Sequence, residues 1–265
     1  MGLAPQQDEQ LWQQIYSEAK TVVNEEPELA QYINSCILRH NNFGTAVACI
    51  LSSQLATPHV PAKVVNQVMH QAMGADAGIM EAAMTDLQAH VDRDPAAVGY
   101  LTAFMYFKGF QALQVHRFAH WLWQQGRHAV ALYMQARASQ VYDVDIHPAA
   151  TMGKGIMIDH ATGVVIGETA VVEDNVSMLH GVTLGGTGKE SGDRHPKIRC
   201  CVLIGAGAKI LGNIEIGVGA KIGAGSLVLE PVEEHTTVAG VPAKVIGHPL
   251  GDSPALDMDQ NISCK

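Results

Sequence analysis

An aliphatic residue returns at every sixth position through most of the C-terminal half of the chain. Helices repeat their buried positions about every 3.6 residues and strands every second residue, so this period fits neither. A fixed six-residue repeat is typical of a parallel β-helix built from hexapeptides. The aliphatic positions are Ile166, Val172, Met178, Leu184, Ile198, Ile204, Ile210, Ile216, Ile222 and Val228.

Glycine directly follows the aliphatic residue in several of these repeats, among them those with Gly167, Gly205, Gly217 and Gly223. We expect each hexad to form one short strand and one corner, with the aliphatic side chain inside the prism. Glycine suits the corner because it accepts backbone angles that a Cβ atom forbids.

The pattern before residue 142 is helical. Apolar residues recur at helical spacing in stretches such as 8–23, 27–39, 62–73 and 99–123, where Ala, Gln, Leu and Met are frequent and Gly is sparse. The sequence therefore predicts an α+β chain: an N-terminal all-α domain over 1–141, followed by a left-handed parallel β-helix over 142–250. Residues 251–265 have few large apolar side chains and are expected to form a flexible tail.

Composition narrows the possible functions. The net charge of -9 argues against binding to nucleic acids or to anionic membranes. No apolar run reaches the roughly 20 residues of a membrane span. The N-terminus, MGLAPQQDEQLWQQ, lacks the basic start and apolar stretch of a secretion signal, and the five cysteines contain no CxxC pair. We therefore expect a cytoplasmic protein with reduced thiols.

One polar insertion, GGTGKESGDRHPK, interrupts the hexads between Leu184 and Ile198. A solvated loop expelled from a solenoid costs little, and such loops commonly carry binding groups. A surface flap without function is the alternative for these residues taken alone.

Histidines supply the candidates for chemistry. Asp145 precedes His160 by fifteen residues, close to one coil of three hexads, so a carboxylate and an imidazole could meet on adjacent coils. Such a pair can act as a general base, because the carboxylate fixes the tautomer and stabilises the imidazolium. On the residues alone, His160 or His180 could equally be a hydrogen-bonded structural residue. His116 and His120 have metal-ligand spacing but no evident third ligand, so no metal site is predicted.

Several longer segments match a known family. They are DVDIHPAATMGKGIMIDHATGVVIGETA, VTLGGTGKESGDRHPKIR and IGAGAKILGNIEIG in the solenoid, and VDRDPA and YFKGFQALQVHRFAHWLW in the helical half. With these segments the chain closely resembles bacterial serine O-acetyltransferase, the enzyme that begins cysteine biosynthesis. The resemblance covers almost the whole chain.

The resemblance implies a direct acetyl transfer from acetyl-CoA to L-serine in a ternary complex, without a tightly bound cofactor. His160 of DHATG would be the general base and Asp145 of DVDIHP its orienting partner. Asp94 and Asp159 would bind the substrate ammonium group, while the substrate carboxylate would bind to Arg194. The remaining implied contacts are His195 with the substrate, and Gly186, Thr187, Ala206 and Lys221 with coenzyme A.

The resemblance also implies assembly and control. Solenoids would form a homo-trimer, helical domains would join two trimers into a hexamer, and L-cysteine would compete with serine as a feedback inhibitor. Many members end in Ile, which binds O-acetylserine sulfhydrylase. This chain keeps DMDQ at 257–260 but ends in NISCK, so that partnership is left open.

Three alternatives remain. Another hexapeptide O-acetyltransferase, acting on a sugar or antibiotic hydroxyl, would share the solenoid and His160 but has no reason to keep Asp94 and Arg194. A γ-type carbonic anhydrase needs zinc-binding histidines that include a pair five residues apart, which the solenoid sequence lacks. A non-catalytic trimeric scaffold is the third.

An acyl-enzyme route would need a nucleophile such as Cys200 or Cys201, for which a structural role is favoured.

Overall fold

The computed structural model describes residues 5–188 and 191–262. The chain divides into two compact units, Met1–Phe107 and Lys108–Lys265. Helix gives way to strand between Tyr142 and Val144. The last two long helices belong to the second unit, where they pack on the solenoid.

The first unit is helical. A T-shaped contact between Phe43 and Phe104, with ring centroids 5.6 Å apart, lies in its core. The helical stretch predicted over 99–123 is broken at Phe107, whose backbone is extended. None of the helices in the described ranges combines the length and the apolar character needed to cross a bilayer. The helices of this unit are α1 (Pro5–Glu25), a 3-10 turn (Pro27–Leu29), α2 (Ala30–Ile33), a π-helical turn (Asn34–Leu38), α3 (Phe43–Leu55), α4 (Ala62–Ala75), α5 (Gly78–Arg93) and α6 (Tyr100–Tyr106).

The second unit opens with two helices, α7 (Lys108–Gln124) and α8 (His128–Tyr142), and continues as a three-faced parallel solenoid. Its faces are sheets in the orders β1-β4-β7-β10-β13, β11-β8-β5-β2 and β15-β14-β12-β9-β6-β3. All ten hexad aliphatic side chains are at most 2% exposed, which confirms the predicted parallel β-helix. The strands are β1 (Val144–Ile146), β2 (Thr151–Met152), β3 (Met157–Ile158), β4 (Val164–Ile166), β5 (Val171–Val172), β6 (Ser177–Met178), β7 (Thr183–Gly185), β8 (Lys197–Ile198), β9 (Leu203–Ile204), β10 (Lys209–Leu211), β11 (Glu215–Ile216), β12 (Lys221–Ile222), β13 (Leu227–Val228), β14 (Thr237–Gly240) and β15 (Ala243–Gly247).

Strand register shows where the hexads are interrupted. The regular coil is eighteen residues long, as in the pairing of β4 with β7. The pairing of β3 with β6 spans twenty residues, and that of β5 with β8 spans twenty-six. The solenoid therefore contains a two-residue insertion at the corner between β3 and β4, and an eight-residue insertion after β7.

The glycines that follow the hexad aliphatic residues serve a different purpose from the one expected. Gly205 and Gly217 do not adopt positive φ. Instead, a Cβ atom at Gly205 would lie 2.6 Å from the backbone nitrogen of Ala224, and one at Gly217 would overlap the backbone of Glu234. The explanation by backbone angle was wrong, because these positions need glycine to make room for the next coil.

Helix α7 is fixed to the first coils by close contacts. A Cβ atom at Gly109 would overlap the carbonyl oxygen of Ile158 at the end of β3. Arg117 Nη2 donates to the carbonyl oxygen of Gly153 at 2.6 Å, and His120 Nδ1 lies 2.8 Å from that of Pro148. These contacts set the position of the strand that leads into the β3–β4 corner.

Residues 251–262 contact the solenoid, although the sequence predicts a flexible tail. Helix α9 (Pro254–Asp257) is anchored where Ser177 Oγ donates to the carbonyl oxygen of Ala255 at 2.8 Å. Further on, Lys221 Nζ donates to the carbonyl oxygen of Asn261 at 2.8 Å. The final residues, 263–265, lie outside the described range.

We predict that His116 makes folding sensitive to acid. Burial, and then the neighbouring His120, hold the pKa of this imidazole well below its ordinary value, and its Nδ1 has no partner among the described residues. The imidazole protonates near pH 6.5 in the unfolded chain but stays neutral in the folded one. The free energy of unfolding is therefore unaffected by this group above about pH 6.5 and falls below it, by up to about 1.4 kcal/mol per pH unit. Denaturant titrations between pH 7 and pH 5 should show a shallower loss in His116→Gln than in the parent. The exposed His70→Gln serves as the control; equal slopes in parent and His116→Gln would contradict the prediction.

Candidate active site

The two-residue insertion produces a tight corner that carries His160. His160 and Ala161 both adopt left-handed backbone angles, with φ of 55° and 58°. Two short backbone hydrogen bonds close the turn, from Ala161 to Asp159 at 2.6 Å and from Thr162 to His160 at 2.7 Å. Left-handed conformations cost non-glycine residues roughly 1–3 kcal/mol each, and such strain clusters at functional sites.

The imidazole of His160 projects into solvent. Its side chain is 75% exposed, and Nε2 lies 3.9 Å from Asp159 Oδ1. The ring of His180, one coil further on, meets it edge-on with centroids 5.9 Å apart. An accessible imidazole beside a carboxylate can accept a proton from a bound hydroxyl group.

Asp145 has a different partner in this structure. It lies in β1, where it is aligned with Val165 of the next coil, and its Oδ1 accepts a hydrogen bond from Gln135 Nε2 of α8 at 2.6 Å. Among the described residues, His160 therefore lies beside Asp159 and is not hydrogen-bonded to Asp145. The twenty-residue first coil places Asp145 opposite a residue beyond His160, which the assumption of an eighteen-residue coil missed.

The expelled loop ends in an ion pair. Arg194 Nη2 lies 2.6 Å from Glu168 Oε2, and Nη1 donates to the carbonyl oxygen of Gly192 at 3.0 Å. The hydrogen bond from Arg194 lowers the pKa of Glu168. The guanidinium is partly exposed at the solenoid surface. It is held there by the Glu168 carboxylate, which another anion could replace.

Thr169 organises the residues next to this pair. Its hydroxyl oxygen accepts from the backbone nitrogens of Arg194 at 3.0 Å and His195 at 3.1 Å. His195 Nδ1 accepts from Thr169 N at 3.2 Å and lies 2.8 Å from Thr169 Oγ1, so Nδ1 is the unprotonated nitrogen and Nε2 carries the hydrogen. Burial lowers the pKa of His195. The imidazole packs so closely on Gly167 that a Cβ atom there would overlap it.

If Arg194 and His195 contact the amino acid as the resemblance implies, Thr169→Val should weaken amino-acid binding. Valine keeps the size but removes the oxygen that holds the backbone of Arg194 and His195. Leaving the backbone nitrogen of the buried His195 unpaired costs about 1–3 kcal/mol. We expect KM for the amino acid to rise about tenfold or more, with a smaller change in KM for the acyl donor. Thr169→Ser should restore the parent value; an unchanged KM in Thr169→Val would contradict the role.

The four residues implied for coenzyme A lie between the end of β7 and β12. Gly186 and Thr187 open the expelled loop, and a Cβ atom at Gly186 would lie 3.4 Å from Arg194 Cγ. Ala206 lies at the corner after β9, where its carbonyl oxygen accepts from Gly225 at 2.8 Å. Lys221 is only 5% exposed, because residues 259–262 of the tail lie next to its amine.

Asp94 belongs to the first unit. It follows α5 directly, and its Oδ1 accepts from the backbone nitrogen of Ala96 at 2.8 Å. One carboxylate oxygen is thus used locally to shape the DRDPA turn, and the side chain is half-buried.

Sequence reasoning missed three residues that shape the site: Gln135, Glu168 and Thr169. The last two belong to the VIGETA segment, and the spacing of eight residues between Ile158 and Ile166 marks the corner. Within the described ranges, no three His, Cys, Asp or Glu side chains converge as metal ligands would.

Known proteins similar to this chain are serine acetyltransferases. Residues 11–115 match the family model for the N-terminal region of serine acetyltransferase. The Salmonella typhimurium serine acetyltransferase is 54% identical over 253 residues, which cover 96% of this chain and 93% of the relative. The crystal structure of serine acetyltransferase from Vibrio cholerae superposes with a TM-score of 0.95 at 56% identity, over 96% of this chain and 98% of the other.

Two further solved structures contain bound ligands. A serine acetyltransferase in complex with cysteine has a TM-score of 0.94 at 52% identity, covering 96% of this chain and 99% of the other. The serine acetyltransferase from Brucella abortus in complex with coenzyme A has a TM-score of 0.90 at 49% identity, covering 93% and 98%.

Proposed function

The chain belongs to the serine acetyltransferase family, and on that premise we propose that it moves the acetyl group of acetyl-CoA to the hydroxyl of L-serine. The products are O-acetyl-L-serine and free coenzyme A, the first step of cysteine biosynthesis. The observation that carries the proposal is the strained corner, because it presents an exposed imidazole beside a carboxylate on the solenoid surface.

His160 acts as the general base. A serine hydroxyl is a weak nucleophile at neutral pH, so a positioned base is required, and such catalysis contributes roughly 10² to 10⁴-fold. The imidazole takes the hydroxyl proton while the oxygen attacks the thioester carbonyl, and coenzyme A leaves as the thiol. Asp145 orients the imidazole once substrate binding exchanges its hydrogen bond to Gln135, since catalytic hydrogen bonds often tighten only in the substrate complex.

Charged groups at both ends of the amino acid hold it in place. Asp94 and Asp159 bind the ammonium group, and Arg194 exchanges Glu168 for the substrate carboxylate, which a guanidinium fork can bind in a bidentate manner. His195 donates from Nε2 as the second substrate contact. L-Cysteine differs from serine only by sulfur for oxygen, so it competes at the same groups as a feedback inhibitor, as expected of a relative of a protein solved with cysteine.

Coenzyme A lies along the edge formed by Gly186, Thr187 and Ala206, with Lys221 near its phosphates; it is a co-substrate and not a tightly bound cofactor. Because Lys221 is covered by residues 259–262, this contact requires the tail to move.

We predict that Lys221→Glu raises KM for acetyl-CoA several-fold and leaves KM for serine unchanged. Lys63→Glu, on the exposed face of α4, is the charge-matched control; an unchanged KM for acetyl-CoA in Lys221→Glu would remove this residue from the proposed site.

The assembly we propose is a trimer of solenoids that pairs into a hexamer in the cytoplasm. Sedimentation that gives a stable monomer would contradict it. A pull-down with O-acetylserine sulfhydrylase tests whether the chain binds that partner.

An acceptor panel tests the proposed function. The chain is mixed with acetyl-CoA and, in turn, L-serine, a hexose and an aromatic antibiotic alcohol, and release of the coenzyme A thiol is followed with a disulfide dye. We expect release with L-serine alone. Release with the sugar or the antibiotic and not with serine would favour a different hexapeptide O-acetyltransferase, and no release with any acceptor would favour a scaffold.

A further inference from the structure

Two adjacent cysteines form a corner of the solenoid that the proposed reaction does not use. Cys200 and Cys201 lie between β8 and β9, both half-buried, with their sulfur atoms 2.8 Å apart. Cys201 adopts a left-handed backbone conformation, with φ of 65°. The two thiols thus lie in direct contact at a turn with a left-handed residue.

We propose that Cys200 and Cys201 form a redox-active vicinal dithiol, which small disulfides oxidise reversibly to an intramolecular disulfide. In the first step one thiolate attacks a small disulfide, forming a mixed disulfide and expelling one small thiolate. The neighbouring cysteine then attacks the protein sulfur and expels the second. The two cysteines lose two electrons and two protons, and the small disulfide becomes two thiols.

Covalent geometry makes the product easy to reduce again. Neighbouring Cα atoms across a trans peptide are about 3.8 Å apart, below the roughly 4.4–6.8 Å usual for disulfides. A bond between adjacent residues is therefore strained, and strained disulfides are the labile ones. This pair suits a reversible modification and not a structural cross-link.

The rate of oxidation should depend on pH. Burial, the Cys201 thiol and the carboxylates of Asp174 and Glu173 raise the pKa of Cys200 to about 12. At neutral pH this residue is a thiol, and ring closure has to remove its proton. Oxidation is therefore slow at pH 7 and accelerates as the pH rises.

Ring closure would also disturb the hydrogen bonds of this corner. Gly219 N donates to the carbonyl oxygen of Cys200 at 3.0 Å, and Cys201 N donates to that of Asp174 at 3.2 Å. The carbonyl oxygen of Cys201 accepts from Ala255 N of α9 at 3.4 Å. Because the disulfide rotates the peptide that carries the carbonyl of Cys200 and the N–H of Cys201, we expect the amides of Gly219 and Cys201 to exchange their hydrogens faster in the oxidised protein.

The test uses the full chain with Cys36, Cys49 and Cys264 replaced by Ser, so that only the pair remains. The protein is treated with oxidised glutathione at pH 8, alkylated, and measured by intact mass and peptide mapping before and after dithiothreitol. We expect loss of two hydrogen masses, no alkylation of either cysteine, and full reversal by dithiothreitol. Cys200→Ser in the same background should instead keep one glutathione.

Two results would overturn the proposal. One is a stable glutathione adduct on the pair with no intramolecular bond, and the other is unchanged alkylation of both thiols after oxidation. A second reagent, phenylarsine oxide, bridges two neighbouring thiols with loss of water and should add to the pair but not to Cys200→Ser. All readouts are masses, so their outcome does not depend on acetyl transfer.

Discussion

Replacement of His160 by Asn is expected to lower kcat for serine-dependent release of coenzyme A by roughly 10² to 10⁴-fold. Asparagine tolerates the left-handed conformation found at this residue, so the corner should keep its shape while the base is lost. KM for both substrates should change little, because the imidazole is needed for proton removal more than for binding. Steady-state kinetics with each substrate varied measures both effects.

His180→Asn is the matched control, since its ring is exposed and lies 5.9 Å from that of His160. Our account expects it to retain most of kcat. His160→Ala should be as inactive as His160→Asn and less stable, because alanine is poorly suited to a positive φ. Should His160→Asn remain active while His180→Asn is inactive, the base has been assigned to the wrong histidine.

Replacement of Gly109 by Ala is expected to disturb both stability and activity, although the residue lies on α7. A methyl group there would overlap the carbonyl oxygen of Ile158, which precedes Asp159 and His160 directly. Overpacking of this kind typically costs about 1–3 kcal/mol. Because a backbone atom cannot rotate away, α7 or β3 must shift, and we expect kcat to fall at least tenfold in the protein that remains folded.

Gly74→Ala provides the comparison, because nothing lies within 4 Å of a Cβ atom at that helical position. Alanine should be neutral there or stabilise the helix by up to about 1 kcal/mol. Urea denaturation and specific activity of the folded fraction measure both variants. Equal stability and activity of Gly109→Ala and the parent would show that α7 does not fix the β3–β4 corner.

The solenoid could be predicted from sequence because its core follows a period that single residues reveal. Ile204 and Ile216 are fully buried for the reason their spacing indicates. The purpose of Gly205 could not be read in the same way, since it depends on how closely Ala224 of the next coil approaches. Periodicity predicts which face is buried, whereas the approach of neighbouring coils is a property of the folded chain.

The same distinction applies to the candidate site: some of its features follow from the repeat, and others depend on the folded chain. The expelled loop was predicted from a break in the hexads. The corner at His160 was not predicted, although the eight residues between Ile158 and Ile166 mark it. The partner of Asp145 was not predicted either, because Gln135 belongs to a helix whose packing the repeat does not encode. Thr169 was missed because its hydroxyl works through backbone groups twenty-five and twenty-six residues later.

Product analysis after a single turnover tests the central claim most directly. The chain is mixed with isotopically labelled acetyl-CoA, with and without L-serine, and quenched at successive times for mass spectrometry of the small molecules and of the protein. Direct transfer predicts labelled O-acetyl-L-serine that appears together with free coenzyme A, and an unmodified protein at every time. A labelled acetyl group on the chain that forms without serine and then passes to it would contradict the account.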